Sequence, residues 1–389
     1  MTSTGAPAAL DGIRVLELTH AIAGPHTGQI LADHGADVIK IEPPGGELAR
    51  AAMPMVDDDS IYFASQNRGK RSVVLNLKEA EGLAALLRLA EGADVVLTNY
   101  SVEVPARLGW GFEALEAVNP SIIMVHITGF GATSADRAML AYDGIIQGMS
   151  GIPQLTGVAD GDPMFVGTFV ADHIAAYRSA MAVMMALRVR ESSPEAQFVD
   201  VNMLTSYMGL LAHDVHESLD GRPSARAGNR VPVSIANTYA ARDGFVHLSP
   251  VGPVKWERFC RAVGRPDWAE DLPYDRAVLT ARDAVDAHVA RWCRDRDRDD
   301  ILALMRDLSI PCGPVRGLAE AVRHLDERGD GSVVRVTSPA GRTVAVPGPL
   351  TPVGLGDGPR RLRVPAIGEH TDEVLAEIRV GVQDPRPPA

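Results

Sequence analysis

The sequence predicts an α/β protein with a mostly parallel sheet, followed by a smaller α+β region. Three observations carry this. Short apolar strands alternate with single helical stretches through the N-terminal half. Parallel neighbours need a long crossover, and a helix is the usual one. Near residue 220 the segment Asp220-Gly-Arg-Pro-Ser-Ala-Arg-Ala-Gly-Asn-Arg-Val-Pro232 is rich in turn formers, which marks a crossing between regions. Beyond it the order changes to a strand, helices and a strand pair.

The elements follow in order. Residues 13–18 read as a strand, 24–36 as a helix and 37–42 as a second strand, a compact βαβ unit. The pattern continues with a strand at 72–77, a helix at 79–90, a strand at 94–98, a helix at 112–117 and a strand at 122–127. An apolar stretch at 165–171 runs into Asp172 and then a long apolar helix at 174–187, after which 197–201 reads as a buried strand. In the second region a strand is expected at 245–248, helices at 254–263 and 285–308, and a strand pair within 333–346. The sign-alternating run Arg291-Trp-Cys-Arg-Asp-Arg-Asp-Arg-Asp-Asp300 fits a solvated surface. Residues 347–363 are rich in glycine and proline and expected to be extended. A last helix should start at Thr371 as its N-cap, with Asp372 and Glu373 in the first turn, and 383–389 should fray. No internal repeat is visible. The expected domains are a large one at 1–205 completed by 347–389, a linker at 206–232 and a small one at 233–346.

At 389 residues, 46% hydrophobic and 23% charged, the chain is an ordinary globular protein with two or three domains' worth of core. Its net charge of −12 argues against a general nucleic-acid or anionic-membrane surface, leaving room for a local basic pocket. Cys260, Cys293 and Cys312 are too few and scattered for a disulfide framework or a metal site, so a reducing cytoplasm is expected. Residues 1–9 lack the pattern of a secretory signal, and the apolar window at 174–187 is interrupted by Arg178 and too short to span a bilayer.

Candidate chemistry is sparse. The junction Ala21-Ile-Ala-Gly-Pro-His-Thr-Gly28 stands where α/β proteins bind phosphates at a helix N-terminus, but it matches neither a dinucleotide fingerprint nor a Walker loop. Asn67-Arg-Gly-Lys-Arg-Ser72 sets three cations before a strand, either as a solvated basic turn or as an anion pocket in which Lys70 and Arg71 suit phosphates. The histidines form no supported metal pair, and no nucleophilic serine or cysteine motif is present. Asp172 is a helix cap on local grounds, or a carboxylate held where a substrate carbonyl can reach it.

Several segments together resemble the family III CoA transferases, the CaiB/BaiF family. They are Leu10-Asp-Gly-Ile-Arg-Val-Leu-Glu-Leu18, Leu31-Ala-Asp-His-Gly-Ala-Asp-Val-Ile-Lys-Ile-Glu42, Asn67 to Ser72 and Ala93-Asp-Val-Val-Leu-Thr-Asn-Tyr100. Arg107-Leu-Gly109, Thr128-Gly-Phe-Gly131, Tyr142 and Asp143 through Met149-Ser-Gly151, and Gly368-Glu-His-Thr-Asp-Glu-Val-Leu375 continue the match in order. The resemblance implies a Rossmann-like large domain completed by the C-terminal segment, a small α+β domain and an interlocked homodimer. It also implies an active site between the domains, with acyl-CoA and a small carboxylic acid as substrates and no metal requirement. The family's catalytic aspartate falls on Asp172, and positions associated with holding CoA fall on Lys70, Arg71, Asn99 and Arg107.

The departures from the family pattern also matter. Ser101-Val-Glu103 stands where an Arg-Pro-Gly type stretch is common, Pro43 replaces a phosphate-binding arginine, and the glycine-rich loop of formyl-CoA transferases is reduced to Pro250-Val-Gly-Pro253. The family's α-methylacyl-CoA racemases pair the aspartate with a histidine before an aspartate. Here Tyr142 holds that place, and Gly252 replaces a supporting glutamate. A tyrosine with an ordinary pKa of about 10 is a poor base at neutral pH. His173 and His126 remain as substitutes, with packing or capping as the alternative role. Transfer through a covalent aspartyl intermediate is therefore expected, with the helix N-terminus keeping Asp172 ionised.

Overall fold

The computed structural model describes residues 8–222, 225–231, 233–349 and 362–380. The frayed end expected at 383–389 lies outside the described residues, as do 350–361 of the extended segment and 1–7 at the start.

The chain begins with β1 (Arg14–Leu18), α1 (Ala23–Asp33) and β2 (Asp37–Glu42), then a short hairpin of β3 (Met55–Val56) and β4 (Asp59–Ser60), α2 (Ile61–Asn67) and β5 (Arg71–Val74). It continues through α3 (Ala80–Glu91), β6 (Val95–Thr98), α4 (Glu103–Arg107), α5 (Phe112–Val118) and β7 (Ile123–Thr128). Next come α6 (Asp143–Met149), α7 (Val170–Arg190), β8 (Gln197–Asn202) and α8 (Met203–Met208). The following stretch holds α9 (Asp214–Leu219), β9 (Asn237–Ala241), β10 (Gly244–Leu248), α10 (Pro253–Ala262), α11 (Pro266–Asp271) and α12 (Tyr274–Thr280). It ends with α13 (Arg282–Arg294), α14 (Arg298–Asp307), β11 (Cys312–Val315) and α15 (Leu318–Arg328). Last are β12 (Val333–Thr337), β13 (Thr343–Pro347) and α16 (Thr371–Val380).

Two compact units result. The first comprises Met1–Gly151, Val166–Ala212 and Arg328–Ala389, and the second Ile152–Phe165 and His213–Glu327. The first unit is built on six parallel strands in the order β5-β2-β1-β6-β7-β8. The chain winds outward from β1 to β5, then returns to lay β6 on the other side of β1. Strand order reverses there, so the carboxyl ends of β1 and β6 open a crevice, the usual ligand position in such a sheet. Strands buried on both faces need continuous apolar runs, and Val95, Val96 and Leu97 are fully buried. One sheet face packs Leu16, Ile39, Val73 and Val96 against Leu86, Leu89, Trp110 and Leu115.

Helix α1 is enclosed along almost its whole length, so its glycines are steric necessities. A Cβ on Gly24 would sit 2.4 Å from the Thr19 Cβ, and one on Gly28 would sit 1.8 Å from Glu17 Oε2.

The C-terminal helix is latched to the edge strand β5. Arg71 pairs with Asp37 of β2 and, on α16, with Glu377 at 2.5 Å and Glu373 at 3.2 Å. Arg14 adds a 2.8 Å bridge to Glu377. Thr371 is the first residue of α16 rather than the expected cap, because its hydroxyl accepts from the Val74 N–H at 3.0 Å.

The strand pair expected in the small domain belongs to the first unit. Val336, Val344 and Val346 of β12 and β13 pack on Phe63 and Ala64 of α2, an element the sequence reading missed. The second unit has its own core, in which Val246 and Leu248 of a three-stranded antiparallel sheet meet Trp256, Phe259, Val289 and Ile301.

Candidate active site

Asp172 sits in the first turn of α7, but it does not cap that helix. The helix starts two residues earlier, at Val170, and Phe169 in the N-cap position makes no side-chain cap bond. Of the apolar stretch at 165–171, residues 165–169 form no strand and the last two belong to α7. Asp143, the first residue of α6, does the capping instead. Its Oδ1 accepts the Ala171 N–H at 2.7 Å and the Asp172 N–H at 3.3 Å. The amide of Gln147, one turn along α6, donates to Asp143 Oδ2 at 2.6 Å.

This arrangement reverses the expected electrostatics of Asp172. The helix N–H groups that would hold an anion serve Asp143. Burial pushes the Asp172 carboxyl up to about 7, and the Asp143 charge adds to the rise. Asp172 thus titrates near neutrality and does not stay ionised well below it.

Around it are groups the sequence reading did not single out. Tyr62 of α2 packs edge-on against Phe169 with ring centres 6.0 Å apart. Its phenol is pushed up by burial and then by Asp172, Glu47 and Asp143, which places it among three carboxyl groups. On the other side His26 of α1 bonds Gln66 of α2 at 2.7 Å and meets the His173 ring edge-on at 4.8 Å. Burial pulls His26 down to about 3, so it is neutral at physiological pH. His173 bonds the Phe169 carbonyl through Nδ1 at 2.7 Å, a packing role that braces the same turn.

The cationic cluster is not a solvated turn. Lys70 is completely enclosed, 2.7 Å from Glu17 Oε2, and its ammonium also donates to the Pro25 carbonyl and Asn67 Oδ1 at 2.8 Å each. Burial lowers its pKa to about 8 against the opposing pull of Glu17. Lys40 lies 2.9 Å from the other Glu17 oxygen and 3.2 Å from Glu47. Arg68 forms a two-pronged pair with Asp33 at 3.0 and 2.5 Å, and the buried Arg71 holds α16 as described. The positive charges of Lys70 and Arg71 therefore face internal carboxylates.

The other two expected residues are differently placed. Asn99 stands just past the end of β6, in the crevice, where its amide accepts from the His20 N–H at 2.9 Å and donates to the His20 carbonyl at 2.8 Å. It locks the two strand ends together across the switch point. Arg107 closes α4 and is exposed. His126 is buried on β7 and bonded to the Tyr100 carbonyl at 2.8 Å, a packing role. Tyr142, in the racemase-histidine position, is 75% exposed. Among the described residues no group of three or more His, Cys, Asp or Glu is arranged to hold a metal ion, and no helix is long and apolar enough to cross a membrane.

The family of the chain follows from comparison with known proteins. The model of CoA-transferase family III matches residues 10–371. Succinate--glutarate CoA-transferase of Agrobacterium fabrum is 35% identical, over 95% of this chain and 95% of that protein. Succinyl-CoA:mesaconate CoA-transferase of Haloarcula marismortui is 34% identical, over 96% of this chain and 97% of that protein. The crystal structure of a CAIB/BAIF family protein from Brucella suis superposes with a TM-score of 0.83 at 31% identity, covering 96% of this chain and 100% of that one. The chain belongs to CoA-transferase family III. It is an enzyme of CoA transfer.

Proposed function

We propose that the enzyme moves CoA from an acyl-CoA thioester to a dicarboxylic acid, with Asp172 as the nucleophile. The observation that carries this is a partly accessible carboxyl, titrating at about 7, in a helix turn held rigid by Asp143 and Gln147. A carboxylate with a raised pKa is more basic than an ordinary one and a better nucleophile toward a thioester carbonyl, yet is still substantially ionised at neutral pH.

An Asp172 oxygen attacks the thioester carbonyl, the C–S bond breaks, and CoA thiolate leaves behind an aspartyl–acyl anhydride. The thiolate attacks the aspartyl carbonyl of that anhydride, releasing the donor acid as its carboxylate and forming an aspartyl-CoA thioester. The acceptor carboxylate then attacks this thioester and displaces CoA thiolate, giving a second anhydride. Thiolate attack on the acceptor's acyl carbon yields the new acyl-CoA and regenerates Asp172. No proton is consumed overall.

The crevice outside the carboxyl ends of β1 and β6 suits CoA, with Asn99 and Arg107 as contacts. Lys70 and Arg71 act indirectly, by fixing the βα turn and the C-terminal helix. The acids in the names of the two sequence relatives are all dicarboxylates, which supports that substrate class. An exposed apolar stripe on α7, with Met181 59%, Met185 62% and Val189 49% exposed, supports burial against a second copy in an interlocked homodimer. The three free thiols fit a reducing cytoplasm.

The test is a panel of mono- and dicarboxylic acids offered with several acyl-CoA donors and followed by mass spectrometry. Exchange with dicarboxylates and its loss in Asp172→Ala are expected, whereas full activity in that variant would sink the mechanism. A racemase reading requires deuterium uptake at the α-carbon from heavy water without an acceptor acid. The exposed Tyr142 makes that outcome unexpected.

A further inference from the structure

Gln147 is buried, and its amide is used on both sides. Its Nε2 donates to Asp143 Oδ2 at 2.6 Å and, at 3.3 and 3.4 Å, reaches the Thr168 and Val166 carbonyls. Its Oε1 accepts the Val166 N–H at 2.9 Å. Asp143, four residues earlier on the same face of α6, takes the Ala171 and Asp172 N–H groups. Two side chains at i and i+4 thus hold the backbone on the way into α7 at Val166, Thr168, Ala171 and Asp172. Residues 162–169 are otherwise largely exposed, so these bonds define where the helix begins.

We propose that Gln147 is a positioning residue for the Asp172 carboxylate: it fixes the start of α7 and holds the Asp143 charge beside the reacting group. The inference deepens the reading of Asp172 as nucleophile and rests on it for its kinetic consequence. Like charges held close disfavour ionisation, and a helix end already occupied by one carboxylate cannot stabilise another. Both effects depend on Asp143 staying where Gln147 holds it. The other ionisable groups near this turn are Tyr62 from α2, His26 from α1, His173 and Tyr177 from α7, Tyr207 from α8, whose phenol burial and the Asp143 charge push up, and Glu47 acting on Tyr62. None of them donates a hydrogen bond to Asp143 in the structure.

Removing the Gln147 amide should release Asp143 from the helix end and expose the Ala171 and Asp172 N–H groups to Asp172. The carboxyl then ionises at lower pH, while its aim at the thioester is lost. The experiment uses the full-length enzyme as Gln147→Met, which keeps the side-chain length. A second variant, Gln147→Asn, keeps an amide but draws it back by one methylene. The Asp172 carboxyl is titrated by carbon-13 NMR, with its signal assigned by loss in Asp172→Asn, and kcat and KM for acyl-CoA are followed against pH.

The titration and the acid limb of kcat should move down by about one pH unit. The kcat value should fall about tenfold or more with little change in KM, and Asp143→Asn should abolish any further shift from the Gln147 change. An unmoved Asp172 titration in whichever variant folds overturns the inference, even if activity falls. The carboxyl titration needs no turnover. A shifted titration in an enzyme that forms no Asp172 adduct would keep the coupling and overturn the proposed mechanism.

Discussion

Asp172→Asn should end turnover and, above neutral pH, make the protein more stable. The substitution keeps the shape of the side chain and removes its charge. In the folded chain burial, aided by Asp143, holds this carboxyl at about 7, against an ordinary value of 3.8. Below about pH 4 both folded and unfolded chains carry the proton, and the wild type loses nothing. Between those values the unfolded chain releases the proton and the folded chain keeps it, so wild-type stability falls as pH rises. The loss is complete above about pH 7 and amounts to about 4 kcal/mol at most. Relaxation around a partly accessible group reduces this, so about 2–4 kcal/mol is expected. Urea unfolding of both proteins at one concentration, at pH 4.5 and pH 8, reads the difference, and effects of other titrating groups cancel in the comparison. A gap of the same size at both pH values, or a less stable asparagine variant at pH 8, would refute the reasoning.

Three further outcomes follow from the packing. Arg71→Ala removes the cation shared by Asp37, Glu373 and Glu377. It should cost about 1–3 kcal/mol, less than a fully buried pair because the partners are partly solvated, and hydrogen exchange at 371–380 should rise first. Gly28→Ala drives a methyl into the Glu17 carboxylate, which Lys40 and Lys70 hold in place, so calorimetry should show about 1–3 kcal/mol of destabilisation. Asn99→Ala cuts both amide bonds to His20. Acyl-CoA KM should rise about tenfold for about 1–2 kcal/mol of lost order, with a smaller effect on kcat.

Most of the first unit's sheet was legible because its strands are short apolar runs separated by periodic helices. Strand β2 falls on the expected 37–42, and β1, β6, β7 and β8 depart by about a residue at an end. Elements held by tertiary contacts were not legible. Helix α2 has only seven residues, too few to show a period, and is stabilised by Phe63 packing on β12 and β13, far along the chain. The same long-range packing puts that strand pair, expected in the small domain, with the first unit. At Lys70 and Arg71 the sequence shows the charges but not the carboxylates of Glu17, Asp37 and Glu377 that fold over them.

At the site, local sequence offered Asp172 as a cap or a reachable carboxylate, and only the resemblance favoured the second; the burial that raises its carboxyl was not legible. The cap was expected from the residue next to the helix, whereas it comes from Asp143, 29 positions away. A usable signal existed in the spacing of Asp143 and Gln147, one helical turn apart in a segment already noted for its match to the family. His26 and Tyr62 carried no such signal, since only the meeting of α1, α2 and α7 brings them near Asp172.

The central claim is that Asp172 forms a covalent bond with the acyl group and then with CoA. Mixing enzyme with succinyl-CoA, quenching with hydroxylamine and mapping peptides by mass spectrometry tests it directly. A hydroxamate on Asp172, absent without acyl-CoA and absent in Asp172→Asn, is the expected result. Exchange of CoA between acids at the wild-type rate, with Asp172 recovered unmodified, would contradict the account.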